Sequence, residues 1–228
     1  MGPHEATATF ERGNAELDEE TSYTADLSMK GTFGALQLET SLFYNRYDDF
    51  VYGQFTGRTC SEDGGCVVGD GEELDEVVYT ADDAEFYGVE LRGVADLHEF
   101  ACGTVGADAQ MDYVRAKLDD GGNVPRIPPL RWGGGVYFER PNSHSRLGFL
   151  RHEKQNKNGD QETDTASFTM LEASTRYRLE LDDGRFPVDL ILAADNLLDE
   201  RARNHVSFLK DDVLMPGRSV RFGIEASF

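Results

Sequence analysis

No stretch of this 228-residue chain is apolar for long, and a transmembrane helix takes about 20 such residues, so a helical membrane span is excluded. Basic side chains are scarce as well: 22 Lys and Arg stand against 43 Asp and Glu, a formal net charge of −21. Nucleic-acid binding rests on clustered Lys and Arg, so that class of partner is excluded, and the acidic surplus suits cations or a salty habitat instead. Cysteine is sparse, and three residues are too few for a disulfide scaffold. Cys60 and Cys66 nevertheless bracket the turn-rich stretch 61–65 and are placed to close a small loop in an oxidising compartment. No secretory h-region stands at the N-terminus, so an export signal is expected upstream of Met1. Signatures of catalysis are missing too: there is no nucleophile elbow, no phosphate-binding Gly-rich loop and no CxxC pair. The chain reads as a non-enzyme with no resident cofactor.

What is there is the composition of strands and turns, with 11% aromatics and 24 glycines. Side chains alternate with a period of two from position 20 to the end, and no segment shows a helical period. In the last run Val220, Phe222, Ile224, Ala226 and Phe228 share one face, while Arg221, Gly223 and Glu225 share the other. The same holds for Tyr23, Ala25, Leu27 and Met29, and for Leu171, Ala173, Thr175, Tyr177 and Leu179. The pattern predicts nine strands, over 20–30, 36–52, 84–97, 101–116, 130–140, 144–152, 168–181, 187–200 and 218–228.

One wet and one apolar face per strand fits a soluble sandwich or a membrane barrel, and the connections separate the two. Joints 31–35, 98–100, 141–143 and 182–186 are short, whereas 53–83, 117–129, 153–167 and 201–217 are long and polar. Short and long alternate along the chain, as tight periplasmic turns and long external loops do in an outer-membrane barrel. Runs near 10 residues long also match the tilted strands that cross such a membrane. The expected fold is therefore all-β, a transmembrane antiparallel up-and-down β-barrel, present in part. Phe222, Ile224, Ala226 and the terminal Phe228 resemble the C-terminal signal by which the barrel-assembly machinery recognises such proteins.

Five motifs then resemble one family in the right order. Gly13-Asn14-Ala15-Glu16-Leu17 with Glu20 and Ser22 is similar to the "GNxxLxxExS" segment of TonB-dependent outer-membrane receptors. Ala84-Glu85-Phe86-Tyr87-Gly88-Val89-Glu90 resembles their "AxxxGxE" strand, and Arg126-Ile127-Pro128-Pro129-Leu130-Arg131 their "RIPPxR" segment. Asn196-Leu197-Leu198-Asp199 resembles the "NLxD" motif, followed by Pro216-Gly217-Arg218 and a last strand ending in Phe. Segments 2–7 and 203–210 look most like the branch associated with zinc uptake. The resemblance implies a bacterial outer-membrane location, contact with lipid, and coupling to the TonB energy-transducing complex through an N-terminal plug. It implies that residues 1–228 are the C-terminal part of a barrel of about 22 strands, with plug and early strands lacking. Transported zinc, or a ferric chelate as second choice, is the implied ligand. A passive porin-like or structural barrel, and a soluble acidic sandwich acting as a binding module, are the alternatives.

With the last strand running inward, His98 and His144 fall at short turns, and His4, His152 and His205 at the long-loop rim. Neutral imidazole suits Zn²⁺ and carboxylates complete its shell, so His4, Glu5, His152, Glu153, His205 and Asp211 are the candidate external ligands. The expected loop 53–83 carries Asp63, Asp70, Glu72, Glu73, Asp75 and Glu76, read either as a cation-gathering loop stapled by Cys60 and Cys66 or as solvated charge. Charges on the wet faces, among them Lys30, Glu39, Asp108, Asp112, Arg131, Glu172, Arg176 and Arg178, are expected to pair between neighbouring strands.

Overall fold

The computed structural model describes residues 2–69, 71–181 and 186–226. Nine long strands form one antiparallel sheet in chain order: β3 (Thr21–Phe33), β4 (Leu36–Cys60), β6 (Leu74–Phe100), β7 (Gly103–Leu118), β8 (Arg131–Arg140), β9 (Ser143–His152), β10 (Phe168–Leu181), β11 (Phe186–Asp195) and β12 (Ser219–Ala226). Three short strands join them: β1 (Gly2–His4), β2 (Thr9–Arg12) and β5 (Cys66–Val68). Among the described residues there is no α-helix, only a single 3-10 turn over Glu5–Thr7. Phe228 and Asp70 lie outside the described residues, as do positions 182–185 of the expected short joint 182–186.

Each strand turns its apolar residues to the same side of the sheet because the cross-strand register keeps them in rows. Leu27, Leu42, Val89 and Tyr113 form one such row, and Leu192 and Phe222 sit opposite each other in another. These side chains stay open: Leu27 is 68% exposed and Phe222 and Ile224 are 66% and 65% exposed. An apolar sheet face this large is unstable in water and is what a barrel presents to lipid.

The opposite face is laced with ions across neighbouring strands. Arg131 donates to Asp112 at 2.8 Å, Lys30 pairs with Glu39, and Arg176 and Arg178 both bind Asp189. Arg146 reaches Asp108 at 2.7 and 2.8 Å and Glu172 at 2.5 Å. It lies flat over two glycines, since a Cβ at Gly148 would run into its Nη1 and one at Gly135 would meet its Cζ at 2.9 Å. The glycines leave room for the guanidinium to lie down between its two carboxylates.

Several sequence expectations are corrected. The loop expected over 53–83 is mostly strand, because β4 continues to Cys60 and β6 begins at Leu74. Register shifts between Tyr47 and Phe50, and between Phe55 and Thr59, break the two-residue period there. Nine strands become twelve, because β1, β2 and β5 are too short to show a period. The sheet is also not wholly antiparallel: β2 runs parallel to β6, with Thr9 opposite Asp75. Glu76, expected as solvated charge or part of a cation-gathering loop, is 2% exposed and held by Arg12 at 2.5 Å and Thr56 at 2.7 Å. Burial alone would raise its carboxyl, yet the Thr56 and Arg12 hydrogen bonds and the nearby Arg58 hold it below the usual carboxylate range.

Packing in depth occurs at the long-loop end. Ala84, Ala116, Leu118 and Val124 are buried under Tyr47, Phe50 and Phe86. Beyond them Phe10, Cys60 and Leu74 form a second cluster, which Cys66 joins. Cys60 and Cys66 are disulfide-bonded across the paired ends of β4 and β5, and Cys102 is a free, exposed thiol at the far end.

Candidate functional site

Three long connections converge at this end of the sheet: 119–130 before β8, 153–167 before β10, and 196–218 before β12. The last is tied at its base by its own motif. Asn196 is 4% exposed, and its Nδ2 donates to the carbonyls of Glu200 at 3.0 Å and Pro216 at 3.1 Å. Asp199 accepts the Arg218 amide at 3.0 Å, so the two ends of the loop hold each other as β12 begins.

Between the connections the polar contacts are specific. Gln155, 7% exposed, donates to the carbonyls of Ile127 at 2.9 Å and Pro128 at 3.2 Å, which locks 153–167 against the two prolines. Glu162 accepts the Arg126 amide at 2.9 Å. Lys210, 5% exposed, donates its Nζ to the Thr163 carbonyl at 2.7 Å, and Thr163 donates to Asp211 at 2.6 Å. Arg126 lies 4.1 Å from the Phe208 ring centroid and 6.0 Å from that of Phe55, which joins the β4 extension to the group. Its Nη1 is buried without a hydrogen-bond partner, and burial lowers the guanidinium's proton affinity. A cleft of about 350 Å³ opens among these groups, with Arg58, Arg126 and Lys210 facing Asp75, Glu162 and Asp211.

The candidate ligands are distributed around this rim. His205 is 2% exposed: its Nδ1 shares a 3.0 Å hydrogen bond with Thr165 Oγ1, and its Nε2 is buried with no partner. Burial, and then the charge of Lys210, lower its pKa, so the ring is neutral at pH 7 and its free nitrogen holds a lone pair or a proton without a partner. Asp211 lines the cleft. His152 ends β9 and stacks on Phe168 at 4.3 Å, while Glu153 accepts the Trp132 indole at 2.8 Å. His4 is exposed on β1 and bonds Thr7 at 2.7 Å, with Glu5 beside it in the 3-10 turn. Among the described residues the six do not form a group of three within 4.8 Å; the one such group is Cys60, Cys66 and Glu76, and its sulfurs are spent on each other.

Sequence pattern marks His205 and Asp211 but not the residues that anchor them. Arg126 and Phe208 lie inside the family-like segments 126–131 and 203–210, and no periodic signal marks a cation held between rings of separate loops. Lys210 closes the same segment 203–210 as Phe208, whereas Thr165 and Glu162 carry no signal.

Comparison with known proteins supplies the context. Residues 2–197 match the family model described as TonB dependent receptor-like, beta-barrel. Among solved structures, the copper transporter OprC superposes with a TM-score of 0.74 at 20% identity, over 93% of this chain and 32% of that one. The FrpB iron transporter from Neisseria meningitidis gives 0.62 at 12% identity, over 95% and 32%. The ferric enterobactin receptor from Pseudomonas aeruginosa, solved as a mutant with enterobactin, gives 0.61 at 16%, over 95% and 32%. The chain thus spans about a third of the length of each, and at these identities the likeness is one of fold.

Proposed function

The chain belongs to the TonB-dependent receptor-like β-barrel family, a family of Gram-negative outer-membrane receptors and transporters rather than enzymes, and from that premise we propose that it is the C-terminal wall of a receptor that takes up a scarce metal nutrient. Energy would come from the TonB complex acting through a plug domain, and the barrel-assembly machinery and membrane lipid are the other partners this reading requires. Zinc is the first choice of cargo. The observation that carries it is His205, whose buried Nε2 has no partner and whose ring feels the charges of Glu162, Lys210 and Asp211, three residues that line the cleft. An unpaired buried nitrogen is costly, and an imidazole lone pair is a favoured ligand for zinc and for copper alike. His4, His152 and the carboxylates of Glu5 and Glu153 complete the candidate set at the same rim.

A ferric chelate is the second reading, favoured by Arg58, Arg126 and Lys210 on one cleft, since many chelates carry net negative charge. Solved neighbours of this fold include carriers of copper and of iron, which supports metal cargo without choosing the ion. The test is calorimetry on the receptor at its native length, with zinc, copper and a ferric catecholate chelate. Zinc binding that weakens at least tenfold in His205→Ala supports the assignment. Unchanged affinity removes His205 from the site, and chelate binding alone selects the second reading.

A further inference from the structure

The apolar face of the sheet is not uniform. It drops into an open groove of about 640 Å³ that runs from Phe138, two residues from the short turn 141–142, across Ser145, Thr175 and Ala173 to Ala194 near the outer end of β11. Phe138 on β8 and Leu192 on β11 rise on either side, because the register sets Phe138, Ser145, Thr175 and Leu192 in one row across four strands. Two hydroxyls in the floor do not make it polar. Ser145 and Thr175 hydrogen-bond each other at 2.8 Å, which satisfies one of the two hydroxyl protons and lowers the cost of covering them with a hydrocarbon chain.

Beyond Phe138, on the same face and toward the short turn, stands a cation. Arg140 follows Phe138 by two residues on β8, so it shares the apolar face, and its guanidinium lies 4.7 Å over the Phe138 ring. It is exposed and has no ion pair with a described residue, whereas Arg146, Arg176 and Arg178 are all ion-paired on the opposite face. Tyr177 stands in the same rim row, two strands away, its hydroxyl accepting from Asn142 at 3.1 Å with its own proton free to donate. An arginine with its stem on apolar surface and its head at the membrane boundary is placed to meet lipid phosphate.

We propose that this groove is a site for one glycerophospholipid of the periplasmic leaflet, with an acyl chain over Ala173 and Ala194 and its phosphate on Arg140. The leaflet follows from the short turn 141–142 beside Arg140, since short turns face the periplasm in these barrels. The inference rests on the membrane placement of the family and is independent of the cargo.

The experiment is native mass spectrometry of the native-length receptor in mild detergent, titrated with dipalmitoyl phosphatidylglycerol. Wild type is expected to bind one lipid in a saturable step. Arg140→Gln removes the phosphate contact and Ala194→Phe fills the groove, and each is expected to weaken that step about tenfold. Leu27→Val, on the same face but far along the sheet, is expected to leave it unchanged. Heat-dependent gel mobility reports barrel formation for every variant. A folded barrel that binds lipid equally in wild type, Arg140→Gln and Ala194→Phe overturns this inference alone. A wild-type protein that forms no barrel in membrane overturns the family placement and this inference together.

Discussion

Arg126 carries its guanidinium 4.1 Å from the centroid of the Phe208 ring, and through that contact the connection before β8 holds the connection before β12. Phe208 in turn meets Phe55 edge-on at 5.9 Å, so the β4 extension is part of the same clamp. The geometry gives the rim a fixed shape although its loops come from distant parts of the sequence.

Removing the cation should loosen the clamp. Arg126→Ala loses a partly desolvated cation–π contact of about 1–2 kcal/mol and should raise amide exchange across 203–211. Arg126→Lys keeps the charge but not the flat stacking surface, and should fall between the two. Equal exchange in all three proteins would show that the loops are held by other contacts.

Acid should open the parallel pairing of β2 with β6. The carboxyl of Glu76 is held below its unfolded value of about 4.3. Its contribution is therefore full above that value and is lost as pH falls through the folded pKa. Glu76→Gln should flatten the acid dependence of amide protection over 9–12 and 75–78, and at pH 7 should cost about 1.5–3 kcal/mol for the weakened charged hydrogen bonds. A wild type whose protection does not change between pH 6 and pH 3, values roughly one and a half units either side of the reference carboxylate pKa, would refute the assignment.

Alkylation without reductant should modify Cys102 alone, read as one adduct by intact mass, because Cys60 and Cys66 are bonded to each other. Adducts on all three would mean that the bond does not form. The double Cys→Ser variant should lose protection around β5 while the β10–β12 region is unchanged, since so short a loop contributes less than the ~3 kcal/mol expected of a 15-residue one.

Gly148→Val should displace Arg146. The added Cβ runs into Nη1, so the guanidinium has to shift away from Asp108 or Glu172. The expected cost is on the order of 1–3 kcal/mol, seen as a lower temperature for loss of the compact gel band. Arg146→Ala in the same background should add little, because the interaction is already gone.

Much of the wall was legible in the sequence, and little of the rim was. Strands such as β10 and β12 keep a strict two-residue period because one face meets lipid and the other meets water and ions. The period fails where β4 passes Asp49, at φ 56°: the shift between Tyr47 and Phe50 exchanges the two faces, and a second irregularity between Phe55 and Thr59 interrupts the ladder, which hid the extension to Cys60. Glu76 read as one more acidic residue because its partners Arg12 and Thr56 lie 64 and 20 positions away. His205 was visible as a histidine in a rim loop, but its burial depends on Thr165 and Lys210, and local pattern carries no record of that packing.

The central claim is uptake of a metal nutrient across the outer membrane, and it is tested most directly by following labelled zinc into metal-starved cells with and without the native-length receptor. The account predicts accumulation that requires the receptor, falls when the inner-membrane proton gradient is collapsed, and falls again in His205→Ala. Accumulation that is the same without the receptor, or that persists after the gradient is collapsed as it would through a passive pore, would contradict it.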